Sequence, residues 1–234
     1  MNDHRSFQRL AGVTALLSAP LAIGSLVLVL APVGFRFEAF EKTDLFLSVG
    51  ANAANVLRWS MVLDMLGSYL LLAPAALFLW HWLKPKGLNQ VELYTFCGLA
   101  YILVGAAGAA MLSVVWPPLI NAYAEAAGQQ REILATVFGA ITNAVATGLW
   151  NTLNAITAGI WWLGIGLFLR SERRILGIVT IALGIASLLG AIGRILTIAP
   201  LATLGLSFVL SLLPIWALWL GIDLLRKPVH LDAA

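Results

Sequence analysis

Between Ile133 and Leu169 the chain runs for 37 residues without a proline or a formal charge. A membrane-spanning helix needs about 20 apolar residues to cross a hydrocarbon core roughly 30 Å thick, and this run exceeds that length. Apolar stretches of spanning length also cover about 10–33, 56–80, 93–116, 175–199 and 202–225. Soluble domains carry roughly 25% charged and roughly 45–50% apolar residues; here the shares are 11% and 61%. A water-soluble globule, a disordered tail and a disulfide scaffold are therefore excluded. The expected fold is all-α, a polytopic six-transmembrane-helix bundle forming one membrane domain over 1–234.

The boundaries follow from punctuation. Arg5 and Arg9 precede the first run, which is too long for the 7–15-residue core of a signal peptide, so it reads as an uncleaved helix. Pro117-Pro118 is expected to stop the third helix, because proline lacks an amide donor and clashes with the preceding turn. As one helix the run from Ile133 would measure about 55 Å. The spanning part is placed at about 145–169, and the part up to about residue 144 either protrudes or packs as a separate short helix. The extracytoplasmic segments are then 35–55, long enough for a surface helix or lid, and 117–144.

Orientation rests on Lys and Arg, which cytoplasmic loops retain. With the N-terminus inside, nine positive residues lie on the inner side: Arg5, Arg9, Lys84, Lys86, Arg170, Arg173, Arg174, Arg226 and Lys227. Four lie outside: Arg36, Lys42, Arg58 and Arg131. Both termini are thus expected in the cytoplasm. Tryptophans agree with interfacial anchoring, with Trp59 and Trp116 at outer ends and Trp80, Trp82, Trp161, Trp162 and Trp219 near inner ones. The positives are spread singly between apolar runs, so the net charge of +3 reads as topology signals and not as a nucleic-acid surface.

A charge at bilayer depth is costly, so polar residues inside the spans carry the functional information. Asp64 lies about 12 Å along a helix starting near Val56, with Ser60 and Ser68 at i−4 and i+4 on the same face. Such a carboxyl group is either neutral or ionised beside a cation. Arg194, on the fifth helix, reaches a similar outer depth and is the expected partner; Arg58 lies about 120° away around Asp64's own helix. On the fourth helix Asn143, Thr147, Asn151 and Asn154 recur at helical spacing and form one expected stripe. Each set has a structural reading, as an ion pair or as interhelical amide bonds, and a second reading as the wall of a ligand or proton site. Ala182, Ala186 and Gly190 make a small-xxx-small face expected to contact another helix. Asp223, near Arg226 at an inner helix end, reads as an anchor.

Several chemistries find no support in the pattern. His4, His81 and His230 all fall at the inner edge or beyond, so no histidine pair can clamp a haem in the membrane. Cys97 is the single cysteine, and no CxxC, HExxH, GxSxG or phosphate-loop spacing occurs. No catalytic residue, metal or cofactor is expected, and the candidate partners are membrane lipids and a hydrophobic small molecule.

Ala51-Asn-Ala-Ala-Asn-Val-Leu-Arg58 followed by Asp64 resembles the start of the second helix in a bacterial six-helix membrane family of unknown function. Gly159 to Ser171 and Arg174-Ile-Leu-Gly177 are similar to its fourth-to-fifth helix junction, except that the family usually has a proline where this chain has Arg173. The resemblance implies the six-helix fold and a bacterial inner-membrane location, and draws attention to Arg58 and Asp64; it implies no activity. Three functions follow in order. The first is a binding, sensory or structural protein with a polar outer-half pocket built from Asp64, Arg194 and the asparagines. The second is a small-solute or proton-coupled carrier using Asp64. The third is an enzyme acting on lipid or isoprenoid.

Overall fold

The computed structural model describes residues 2–40, 42–227 and 229. Glu41, Pro228 and 230–234, His230 among them, lie outside the described residues. The first helix, α1 (Asn2–Leu30), ends in a tight turn where Gly34 takes a left-handed conformation, and the chain then folds into two short 3₁₀ turns, Phe37–Phe40 and Thr43–Phe46. Helix α2 (Ala51–Asp64) continues through a π turn at Met65–Tyr69 and a 3₁₀ turn at Leu70–Leu72 into α3 (Ala73–Leu83). Helix α4 covers Leu88–Glu125; α5 (Gly128–Asn143) passes through a π stretch, Ala144–Asn154, into α6 (Ala155–Glu172). Two further helices, α7 (Arg174–Ile195) and α8 (Ala199–Arg226), complete an all-α chain with no strand among the described residues.

Six of these runs are long and apolar enough to cross a membrane: His4–Val33, Ala51–Lys86, Leu88–Glu125, Gly128–Glu172, Arg174–Ile195 and Ala199–Arg226. They pack as a closed ring. Each span contacts its neighbours in sequence, and α8 returns to α1. Close approach in that last contact depends on small residues, since the Cα of Gly221 faces the backbone of Gly12 and Leu16. At the same end the Gln8 amide donates to the carbonyls of Leu224 (2.7 Å) and Lys227 (2.8 Å), which places both ends of the described chain together. The half of the bundle bearing the termini is densely filled around Trp161, Trp162 and Trp216. In the opposite half a second core of Leu30, Phe46, Leu57, Trp116 and Phe138 ties the segment after α1 onto the spans as a lid.

Several expectations are corrected. Helix α4 does not stop at Pro117-Pro118 but runs to Glu125. The prolines deprive the carbonyls one turn earlier of their donors, yet packing on both sides holds the helical path. Trp116 lies between Phe46 (centroids 5.1 Å) and Phe138 (5.9 Å), and Ile120 is fully buried. The run before residue 144 is not a detached helix, because α5 joins α6 through the π stretch without a break. Trp161 and Trp162 are buried in the core, as is Trp116, instead of anchoring at an interface; Trp59 is exposed. Asp223 is buried and takes Arg173 Nε (2.8 Å) and Lys227 Nζ (2.9 Å) as partners in place of Arg226. Ala186 and Gly190 do meet α8 at Gly205, whereas Ala182 is exposed.

Candidate functional site

The π turn after Asp64 creates the site. A π turn skips one residue in the hydrogen-bond ladder, so backbone carbonyls there seek donors from elsewhere. Ser18 Oγ on α1 donates to the Gly67 carbonyl (2.5 Å), and the Tyr101 hydroxyl on α4 donates to the Ser68 carbonyl (2.8 Å). The widened turn also swings Tyr69 against α4, where Gly105 is the notch that receives it: a Cβ at residue 105 would occupy the tyrosine ring. The Ser68 hydroxyl in turn donates to Asp64 Oδ1 at 2.6 Å.

Above this turn, in the lid half, lies a cavity of about 340 Å³ to which all six spans contribute. That is within the roughly 300–1,000 Å³ of small-molecule sites. Phe40 and Phe46 of the lid cover it, and its walls are mostly aliphatic. Ile23 on α1 and Ile215 on α8 line it while remaining about half exposed, which opens it sideways between those two helices. The floor is polar and aromatic, made by Asp64, Ser68, Tyr69, Tyr101, Asn154 and Trp162. Tyr101 stands 5.3 Å from Tyr69 and 5.1 Å from Trp162, ring centre to ring centre. Trp161 and Trp216 extend the ring cluster away from the lid, so buried aromatic rings pack the bundle beneath the floor.

Two floor atoms lack partners among the described residues, Asn154 Oδ1 and Trp162 Nε1, and both are buried. Buried polar groups are nearly always hydrogen-bonded, and an orphan costs about 1–3 kcal/mol. The amide of Asn154 also lies beside the Tyr69 phenol.

Of the sequence-derived candidates, Asp64, Arg194, Asn151 and Asn154 line this cavity. Arg58 and Asn143 are exposed and do not. The asparagine stripe breaks because the π stretch shifts the phase; Thr142, Ala146 and Trp150 face inward, while Asn143 and Thr147 face out. Thr142 accepts a hydrogen bond from Trp116 Nε1 (2.9 Å). The expected Asp64–Arg194 ion pair is absent among the described residues, where no ion pair within 4.0 Å includes either side chain. Helix α2 begins at Ala51 instead of Val56, which puts Asp64 about 20 Å below the head of its span, and α7 ends at Ile195, which puts Arg194 in the last turn of its own. The second span packs on the first and third, the fifth on the fourth and sixth.

Sequence reasoning passes over Tyr69, Tyr101 and Trp150 and places Trp162 at the inner interface. The signal available was the position of Tyr69 and Tyr101 in mid-span, far from the interfaces where a hydroxyl reaches water. Searched against family models, curated proteins and solved structures, the chain matches none. Fold and cavity together define a multi-pass helical membrane protein with a covered chamber in one half.

Proposed function

We propose that the protein is a binding or sensory protein that holds an amphiphilic small molecule in the lid-half chamber. One observation carries the reading: a chamber of about 340 Å³ with aliphatic walls, a polar floor and an unpaired buried acceptor, Asn154 Oδ1. An apolar body gains from the walls and a polar group satisfies the floor, the usual division of labour in small-molecule sites. The sideways opening between α1 and α8 suits a ligand arriving from the bilayer. The ring cluster beneath the floor favours retention over passage. In this reading the membrane is a bacterial inner membrane with both termini in the cytoplasm; a reporter fused after Ala234 should be active inside, and activity outside would reverse the topology.

Native mass spectrometry of the protein released from its membranes tests the binding reading. The wild-type chain should carry an additional small-molecule mass. Val209→Trp and Ala146→Phe, which place bulk inside the chamber, should lose it while remaining folded. Equal bound mass in the wild type and both variants would reject the chamber as the site.

A carrier is the second reading, and one observation favours it. The second span is interrupted by the π and 3₁₀ turns directly after Asp64, and irregular helix at membrane depth is where transporters build ion and substrate sites. Ligand flux into sealed vesicles that is lost in Asp64→Asn would favour the carrier over a static binder.

A further inference from the structure

Within the chamber reading, on which this step rests, the floor also selects a chemical class, and we infer that the ligand is a hydrophobic organic cation whose ammonium group rests on the floor against Asp64 and the Tyr69, Tyr101 and Trp162 rings. Asp64 and Arg194 are the two formally charged residues among those lining the chamber. Arg194 belongs to the last turn of α7, near the lid; the floor carries the carboxylate without a cationic side chain. The hydrogen-bond inventory leans the same way. The Ser68 hydroxyl is spent on Asp64 Oδ1 and the Tyr101 hydroxyl on the Ser68 carbonyl, so these floor donors are committed. The acceptors are not: Asp64 Oδ2 has no hydrogen-bond partner among the described residues, and Asn154 Oδ1 is buried without one. Trp162 Nε1 and the Tyr69 hydroxyl are the floor donors not spent on another group among the described residues, and both belong to rings of the aromatic floor.

Tyr69, Tyr101 and Trp162, spaced 5.3 and 5.1 Å between successive ring centres, line the same floor as the carboxylate. Aromatic faces attract cations most strongly where water is excluded, and cages of this kind recognise quaternary ammonium groups. A carboxylate, an amide oxygen and three rings meet one need together, which a neutral hydrocarbon leaves unmet and a second anion opposes. The apolar part of the ligand then extends up the aliphatic walls toward Phe46.

The full chain in lipid nanodiscs is tested with labelled benzyltrimethylammonium, its uncharged isostere neopentylbenzene and the anion benzylsulfonate. The cation should bind saturably and prevail over the isostere by about tenfold or more, the scale of a desolvated cation–π and carboxylate contact. Asp64→Glu should keep that preference. Asp64→Asn should erase or invert it by binding the isostere at least as well as the cation, an outcome that a misfolded protein cannot give. Absence of saturable cation binding to the wild-type chain overturns the inference, as does tighter binding of the isostere or the anion. The chamber reading survives those results if Val209→Trp still displaces the molecule found by native mass spectrometry. If that bound mass is also unchanged, both fall.

Discussion

Removing the Phe46 ring should unfasten the lid and little else. Phe46 is 2% exposed and stacks on Trp116 at 5.1 Å, at the point where the segment after α1 meets α4. Truncating a buried phenylalanine to alanine costs about 3–5 kcal/mol. Because Phe46 also borders the chamber, the lower end of that range applies, about 3 kcal/mol. Since roughly 1.4 kcal/mol is a factor of ten, Phe46→Ala should raise the open population of the lid about 100-fold. Hydrogen exchange of the full chain reads this directly, as faster exchange of the lid amides while amides near Trp216, whose Nε1 donates to Thr180 at 2.9 Å in the other half, keep their rates. Trp116→Phe retains an aromatic ring but loses the bond to Thr142, so its effect should be about 1 kcal/mol, and the double variant should show coupling between the two rings. Unchanged lid exchange in Phe46→Ala, or acceleration spread evenly through the bundle, would refute the reasoning.

Other expectations follow from single contacts. Tyr101→Phe leaves the Ser68 carbonyl without its donor and should lower unfolding stability by about 0.6–1.7 kcal/mol, read as a shift in the detergent-unfolding midpoint. Gly105→Ala pushes a methyl group into the Tyr69 ring, which has α4 in front of it and the π turn behind, and should cost about 1–3 kcal/mol; the larger loss should be in ligand retention. Arg194→Gln should change stability by no more than about 0.5 kcal/mol, because Arg194 has no ion-pair partner within 4.0 Å among the described residues. Arg173→Met should destabilise by about 1–3 kcal/mol, less than a fully buried pair would, since Lys227 still faces Asp223. Arg173→Met with Asp223→Leu should recover most of that loss in the same detergent-unfolding assay.

The spans were legible because crossing a bilayer demands length and apolarity, and both are written in the runs from α1 to α8. What escaped is what depends on neighbours. Pro117-Pro118 carries a correct local message, a weakened helix, which the packing of Trp116 and Ile120 overrides. The asparagine stripe assumed an uninterrupted α-helical phase, and the π stretch at Ala144–Asn154 turned Asn143 outward while leaving Asn151 and Asn154 at the chamber. Asp64 stood out because a carboxylate inside a span is rare and costly, so no structure was needed to single it out. Its surroundings could not be read the same way. Tyr69 reaches the floor only through the π turn, and Trp162 only through the ring cluster contributed by several spans. The helix ends legible in the sequence place Arg194 and Asp64 at one depth, and a shift of a few residues at those ends is enough to part them.

An experimental density map of the protein purified from its native membranes, sharp enough to show side chains in the lid half, tests the central claim most directly. The account predicts non-protein density between the floor at Asp64, Asn154 and Trp162 and the underside of Phe46, with Arg194 standing apart from Asp64. A collapsed chamber filled by its own side chains, with the Arg194 guanidinium within 4 Å of the Asp64 carboxylate, would contradict it and return both residues to a structural ion pair.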